Sequence, residues 1–281
     1  MNKIPSIFFE VTDRCHHHCV FCGKAWRTDT GHSLSYTDLD VILSYPKSLG
    51  KITGGEPGLE KAKVFYYVQH ETAHMAMNTN LVCWTERELS HLQEKGIHLV
   101  LDIPSLFHDE YNQVTGSRND YDICMRNLNY VNPGNTSISL VINEYTVDTF
   151  EKTIDGLRKL GFKNIVASPR IPNGKSHFDY AAALKKIERA YRHYSDIRLL
   201  SRTLPSAVPV SHECYAGDGL LVVLSNGDIV PCAWNNHHIL GNIRENTYEE
   251  IRMRGLAYRQ QHDKEMGCLG FWENVRDYGT D

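Results

Sequence analysis

The sequence predicts an α/β protein in which a parallel sheet forms an incomplete barrel, followed by a small C-terminal extension. Six short apolar runs alternate with helical segments, which is the pattern of parallel strands joined by crossover helices. Beyond Leu204-Pro205 the pattern changes, because two apolar runs flank Asn226-Gly227 and predict a β-hairpin. We therefore expect two domains, at residues 1–204 and 205–281.

Each predicted strand is a short apolar run, and the helices have recognisable first and last residues. Ser35-Tyr36-Thr37-Asp38 is a capping box, Thr85 caps a later helix, and Gly96 and Gly161 end helices. In chain order the predictions are strand 7–11, helix 35–45, strand 51–53, helix 59–72, strand 74–77, helix 85–96, strand 97–101, helix 121–130, strand 137–142, helix 149–160, strand 164–167, helix 177–194, hairpin 220–232 and a helix from Tyr248.

Composition limits the possible functions. The 281 residues are 41% hydrophobic and 23% charged, which suits a large globular core. The net charge is −4 without a long basic run, so we expect neither nucleic-acid nor membrane-surface binding. No apolar stretch has the length of a membrane span, and Met1–Pro5 leads into a strand without a signal-peptide pattern. We expect a cytoplasmic protein, whose eight cysteines are better explained by metal clusters than by disulfides.

The loop after the first strand carries three cysteines, Cys15, Cys19 and Cys22, spaced C-x3-C-x2-C. Three thiolates on one short loop can converge on one metal centre. They hold a four-iron cluster while leaving one iron open to another ligand. Zinc is the alternative, since C-x2-C is often a zinc motif. Consecutive histidines point in different directions, so we interpret His16, His17 and His18 as loop residues without a metal role.

A second motif, Thr53-Gly54-Gly55-Glu56-Pro57, follows the second predicted strand. Glycine there allows close approach of the backbone to a ligand. With the cysteine loop, in which Phe21 precedes the last cysteine, this motif resembles those of the radical S-adenosylmethionine (radical SAM) enzymes. The resemblance covers roughly residues 4–200 and implies a partial (β/α)6 TIM-like barrel with reactive groups at the C-terminal ends of its strands.

The resemblance implies a [4Fe-4S] cluster on Cys15, Cys19 and Cys22, with S-adenosyl-L-methionine bound beside it. Gly54, Gly55 and Glu56 would meet the methionine end of the cofactor, with Glu56 accepting from its ammonium group. The alternative for the positions after later strands is that they merely cap strand ends. The remaining cofactor positions implied by the resemblance are Phe21, Asn78, Thr79, Asn80, Asp102, Asn143 and Ile171.

In the C-terminal extension, the hairpin brings Cys214 near Cys232, and Cys268 follows. The segment resembles the SPASM and twitch extensions, which bind auxiliary iron–sulfur clusters. We favour a twitch-like domain with one cluster, because Phe271 stands where a further cysteine is expected. The fourth position is open to substrate or filled by a side chain, and a Cys3His zinc site is the alternative. Candidate fourth ligands are His237, His238, His262 and Asp263, whereas Cys83 and Cys124 are interpreted as packing residues.

The resemblance implies reductive cleavage of S-adenosylmethionine to a 5′-deoxyadenosyl radical that abstracts hydrogen from the substrate. We expect a small-molecule substrate, such as a sugar, aminocyclitol, nucleoside or nucleotide, and an oxidation or rearrangement. One alternative is a maturase that forms a thioether, a carbon–carbon link or an epimer in a ribosomally made peptide. Another is a non-catalytic electron-transfer module. A flavodoxin or ferredoxin would supply the electron. Pocket candidates are Tyr111, Arg118, Tyr145, Arg170 and Trp234.

Overall fold

The structure is a computed structural model that describes residues 5–23, 31–170, 178–196, 198–200, 214–235 and 237–262. The strands are β1 (Ser6–Glu10), β2 (Leu49–Thr53), β3 (His74–Thr79), β4 (His98–Asp102), β5 (Thr136–Ile142), β6 (Asn164–Pro169), β7 (Arg198–Leu200), β8 (Leu220–Val223), β9 (Asp228–Val230) and β10 (Gly241–Asn242). The α-helices are α1 (Tyr36–Ser44), α2 (Lys61–His70), α3 (Glu86–Glu94), α4 (His108–Thr115), α5 (Tyr121–Leu128), α6 (Phe150–Lys159), α7 (Tyr180–His193) and α8 (Tyr248–Gln261). Short 3-10 helices cover Pro57–Glu60 and Pro133–Asn135.

All the strands belong to one sheet with the order β10-β9-β8-β1-β2-β3-β4-β5-β6-β7. The strands from β1 to β7 pair in parallel, as crossover helices require. Among the described residues, no pairing joins the two ends of this order, so the sheet remains an open barrel. The predicted fold class, an incomplete (β/α)6 barrel with a C-terminal hairpin and helix, is confirmed.

The register of the strands shows which residues lie on each face of the sheet. Phe9, Ile52, Met77 and Leu99 are consecutive partners across β1 to β4, and each is fully buried. The ring of Phe9 lies 4.6 Å from that of Tyr67 on α2, so this face packs against the helices. The other face is more polar, since its aligned residues include Lys51, whose Nζ lies 5.0 Å from the centre of the Phe8 ring.

The C-terminal hairpin continues the barrel sheet. β8 and β9 are antiparallel, with Val222 opposite Val230, which confirms the predicted hairpin. β8 also pairs in parallel with β1, placing Ser6 beside Leu220. Residues far apart in sequence therefore share a sheet, which no local pattern could indicate. The proposed division at residues 204 and 205 stays a prediction.

Helix α4 and strand β7 are among the elements that were missed from the sequence. Helix α4 has few apolar residues, although its Tyr111 and Val114 are fully buried. Strand β7 has only three residues and forms by pairing with β6. No helix in the described part of the chain combines the length and apolar character needed to cross a membrane.

Candidate functional site

The cysteine loop, the glycine loop and Asp102 lie at one edge of the sheet. The cysteine loop follows β1, the glycine loop follows β2, and Asp102 is the last residue of β4. Because neighbouring parallel strands run in one direction, their C-terminal ends meet at the same edge of a barrel. The fold therefore brings together motifs that are separated in sequence.

The three loop cysteines share a small space. Cys22 donates its backbone N–H to the carbonyl of Cys19 at 2.9 Å, which forms a tight turn. Burial raises the pKa of the Cys19 thiol, and the nearby Cys22 and Cys15 thiols raise it further. The His17 N–H lies 3.4 Å from Cys15 Sγ. Three thiols on one turn fit a four-iron cluster with one open iron.

The glycine loop packs directly on the stem of the cysteine loop. Gly55 N donates to Thr12 O at 2.7 Å, and Glu56 N donates to Arg14 O at 2.8 Å. A Cβ at Gly55 would lie 1.9 Å from Arg14 O, and one at Gly54, where φ is +138°, would lie 2.3 Å from Thr12 O. The close approach that demands glycine is therefore backbone against backbone, in addition to any approach to a ligand.

The Glu56 carboxylate lies inside the protein, with 1% of the residue exposed. Its Oε1 accepts from Gly58 N at 2.8 Å, from Thr79 Oγ1 at 2.8 Å and from Trp84 Nε1 at 3.2 Å. Its Oε2 accepts from Asn80 N at 2.9 Å. Burial raises the pKa of Glu56, while these hydrogen bonds lower it. The carboxylate thus joins the glycine loop to the end of β3, and its contact with a cofactor ammonium stays a prediction.

His16 and His17 both face Asp120, which lies just before α5. The distance from Asp120 Oδ2 is 3.1 Å to His17 Nε2 and 3.9 Å to His16 Nε2. Burial, followed by the proximity of His16, lowers the pKa of His17 to about 4. The interpretation of His16, His17 and His18 as loop residues without a metal role stays a prediction; the structure adds that His16 and His17 face a carboxylate, whereas His18 is exposed. Asp120 was missed because it lies 103 positions from His17.

Other predicted cofactor residues have protein partners. Asn78 Nδ2 donates to Asp102 Oδ2 at 3.4 Å, and burial raises the pKa of Asp102. Thr79 Oγ1 accepts from Leu81 N at 3.0 Å. Asn143 is fully buried and accepts from the N–H two residues ahead, as a residue that caps a strand end does. Phe21 is partly exposed, whereas Ile171 lies outside the described residues.

The C-terminal cysteines are only partly described. Cys214 and Cys232 are partly exposed, and neither forms a disulfide within the described part of the chain. Gly217 N donates to Pro231 O at 3.2 Å, which places the two cysteine-bearing segments side by side. Cys268 and Asp263 lie outside the described residues. The remaining predicted candidates for a fourth ligand share a cavity of about 310 Å³, which is lined by Asn235, His237, His238, Tyr258 and His262.

The pocket candidates have different environments. Tyr111 is fully buried, and its ring centre lies 6.0 Å from that of His17. Arg170 is buried and forms an ion pair with Glu144. Tyr145 is 43% exposed. Tyr111 is therefore enclosed by protein, and Arg170, which follows β6, is held by an ion pair. That these residues line a substrate pocket stays a prediction.

One comparison with known proteins concerns the C-terminal region of the chain. Residues 214–269 match a family model described as SPASM, an iron-sulfur cluster-binding domain. No curated protein matches the sequence. The match supports an iron–sulfur cluster in the C-terminal region and does not specifically support the twitch form.

Solved structures match most of the chain. Native anSMEcpe with bound AdoMet gives a TM-score of 0.73 at 14% identity, covering 97% of this chain and 95% of that chain. SuiB from Streptococcus suis, bound to S-adenosylmethionine, gives 0.71 at 17% identity, covering 88% of this chain and 65% of that chain. Methylornithine synthase (PylB) gives 0.51 at 11% identity, covering 92% of this chain and 86% of that chain.

Two of these proteins were also solved with peptides. One structure holds anSMEcpe with AdoMet and the Kp18Cys peptide, and another holds SuiB with the precursor peptide SuiA. Both proteins are radical SAM enzymes with SPASM domains. The predicted resemblance to radical SAM enzymes with a SPASM-like C-terminal region is confirmed, and the predicted enzyme class and cofactors agree with these neighbours.

Proposed function

We propose that this chain is a radical SAM enzyme that modifies a peptide. The observation that carries the proposal is the SPASM match at residues 214–269, on a chain with the fold of two proteins solved with peptides. The small-molecule substrate expected from the sequence has less support, because the structures with the higher TM-scores include peptide complexes, whereas methylornithine synthase, whose name points to a small molecule, gives a TM-score of 0.51. The peptide alternative therefore becomes the leading hypothesis.

The residues at the sheet edge suit this chemistry. Cys15, Cys19 and Cys22 would hold the catalytic cluster, because all three lie on the loop after β1 and their thiols are close enough to raise the pKa of Cys19. When bound, the cluster and S-adenosylmethionine together supply a 5′-deoxyadenosyl radical. The remaining tasks of the protein are to orient the cofactor and substrate and to exclude water.

The loops that follow β1 to β6 would orient the cofactor. The backbone of Gly54 and Gly55 is held against the cysteine loop and would line the methionine end of the cofactor. Glu56 would act by fixing Asn80 and Gly58, since its oxygens accept from both. The other proposed cofactor contacts are Phe21, Asn78, Thr79, Asn80, Asp102, Asn143 and Ile171.

The proposal also includes a second cluster and a protein that donates electrons. Cys214, Cys232 and Cys268 would hold an auxiliary cluster within the SPASM-like region. Such a centre can accept the electron that remains after hydrogen removal, which would make the overall reaction an oxidation. A flavodoxin or ferredoxin would supply the electron for cofactor cleavage.

The test uses the full chain, reconstituted anaerobically with iron and sulfide and reduced with dithionite. Formation of 5′-deoxyadenosine from S-adenosylmethionine is measured with two probes: a pool of random synthetic peptides containing cysteine, and a mixture of sugars, aminocyclitols and nucleosides. We expect the peptide pool to raise the rate by about tenfold, because substrate binding assembles the reactive site. Mass spectrometry should show a modified peptide.

Two outcomes would contradict different parts of the proposal. Absence of 5′-deoxyadenosine from iron-loaded protein would refute the radical SAM assignment. Stimulation by the small molecules alone would refute the peptide assignment and restore the first expectation. A Cys83→Ala variant is the control for the loss of a cysteine. Cys83 belongs neither to the cysteine loop nor to the C-terminal cysteines, so this variant should bind as much iron as the wild type.

A further inference from the structure

His17 is a buried polar residue in the middle of the cysteine loop. Its side chain is 3% exposed, although Cys15 and Cys19 on either side are partly exposed and His18 is exposed. A buried imidazole needs hydrogen-bond partners for its ring nitrogens, because burial without them is costly. Its partners come from two other parts of the fold.

The first partner is Asp120. Its carboxylate accepts from His17 Nε2 at 3.1 Å and also from Ser117 Oγ at 2.6 Å. Because a carboxylate oxygen accepts, Nε2 is the donor in this pair. The edge of the His17 ring also packs on Tyr111 from α4, with the ring planes at 84°.

The backbone at the end of α4 forms hydrogen bonds with the cysteine loop. His18 N donates to Thr115 O at 2.8 Å, and Val20 N donates to Val114 O at 2.9 Å. The end of α4 therefore holds the loop through its main chain, while Asp120 holds it through a side chain. These contacts fix the loop from one side.

The second partner of His17 is Asn80, which fixes the loop from the other side. Asn80 Nδ2 lies 3.3 Å from His17 Nδ1, the nitrogen left free to accept. The backbone N–H of Asn80 donates to Glu56 in the glycine loop at 2.9 Å. A continuous chain of hydrogen bonds thus runs from Asp120 through His17 and Asn80 to Glu56.

We propose that His17 is a positioning residue which, held by Asp120, sets the cysteine loop in register with the glycine loop. This inference rests on the proposed function, in which these loops carry the cluster and the methionine end of the cofactor. A small displacement of one loop relative to the other would slow the reaction, because the reacting groups must meet in one geometry.

The experiment removes the hydrogen bonds while keeping the volume. The variants are His17→Leu, Asp120→Leu and the double variant, with Asp120→Asn as the conservative change that keeps an acceptor. His18→Ala is the matched control, since its side chain lies on the exposed side of the same loop. Hydrogen exchange of residues 15–23 is measured in the metal-free full chain, and 5′-deoxyadenosine formation and cluster potential in the reconstituted protein.

We expect His17→Leu and Asp120→Leu each to speed amide exchange of the loop by about tenfold and to slow cofactor cleavage by a similar factor. The effect of the double variant should be clearly smaller than the product of the two single effects, because both single variants remove the interaction between His17 and Asp120. Asp120→Asn should stay within about threefold of the wild type, and His18→Ala should match it.

Three results would overturn the proposal. Independent, multiplying effects of the two leucine variants would show that the residues do not act as a pair. Unchanged loop exchange would show that they do not order the loop. Stoichiometric zinc or ferrous ion that both leucine variants lose would instead assign His16, His17 and Asp120 as a metal site, since their ligand atoms lie within 4.8 Å of one another. If the wild type makes no 5′-deoxyadenosine but the exchange effects appear, only the proposed function fails.

Discussion

Replacing Gly55 with alanine should separate the two loops that form the site. The new Cβ would lie 1.9 Å from Arg14 O, whereas ordinary contact begins at 3.4 Å, so the backbones must part by about 1.5 Å. That movement would break the hydrogen bonds from Gly55 N to Thr12 O and from Glu56 N to Arg14 O, now 2.7 and 2.8 Å long. Two lost backbone hydrogen bonds with poorly satisfied groups amount to about 2–4 kcal/mol.

The assay compares urea unfolding of the metal-free Gly55→Ala protein with that of wild type and Gly23→Ala. Among the described residues, no atom lies within 4 Å of a Cβ built at Gly23, which makes that variant the matched control. Reconstituted Gly55→Ala should also cleave S-adenosylmethionine at less than about a tenth of the wild-type rate. A free energy of unfolding within about 0.5 kcal/mol of wild type would refute the reasoning, because such a clash cannot be relieved cheaply.

Three further predictions concern the metal centres and the buried charges. Replacing all three loop cysteines with alanine should leave about half of the iron and sulfide, held by the C-terminal centre; complete loss would contradict a second cluster. Glu56→Gln should lower the free energy of unfolding by about 2–3 kcal/mol, because an amide nitrogen would face N–H and O–H donors; an unchanged urea midpoint would count against this role. Burial raises the pKa of Asp38, but hydrogen bonds from Arg244 and Ser35 outweigh it and hold that pKa below its usual range. Arg244→Lys should therefore cost about 1 kcal/mol at pH 7, and the difference should vanish as the pH falls from about 4 through the lowered pKa; a constant difference across that range would argue against the pair.

The sequence predicted the strands well because each is a short apolar run, and buried strands need such runs. It also predicted the capping boxes at Ser35 and Thr85, which depend on residues only three positions apart. It missed α4 because that helix buries only part of a mostly polar segment. It missed β7 because three residues carry too little pattern to stand out.

Within the site, the sequence supplied the residue types and their order along the chain. The spacing of Cys15, Cys19 and Cys22 indicates a metal centre because all three thiols come from one loop. The expectation of a small-molecule substrate had less support, because no motif in the sequence describes a substrate-binding surface.

The sequence by itself determined the alternating strands and helices, the cysteine loop and the glycine loop, since each depends on neighbours in the chain. Only the tertiary structure decided what those residues contact. It paired β8 with β1, placed Gly55 against Arg14 O, and brought Asp120 to His17 across 103 positions. Such contacts arise when the strands assemble into one sheet, because the ends of distant strands then lie at the same edge. No local sequence pattern encodes that arrangement.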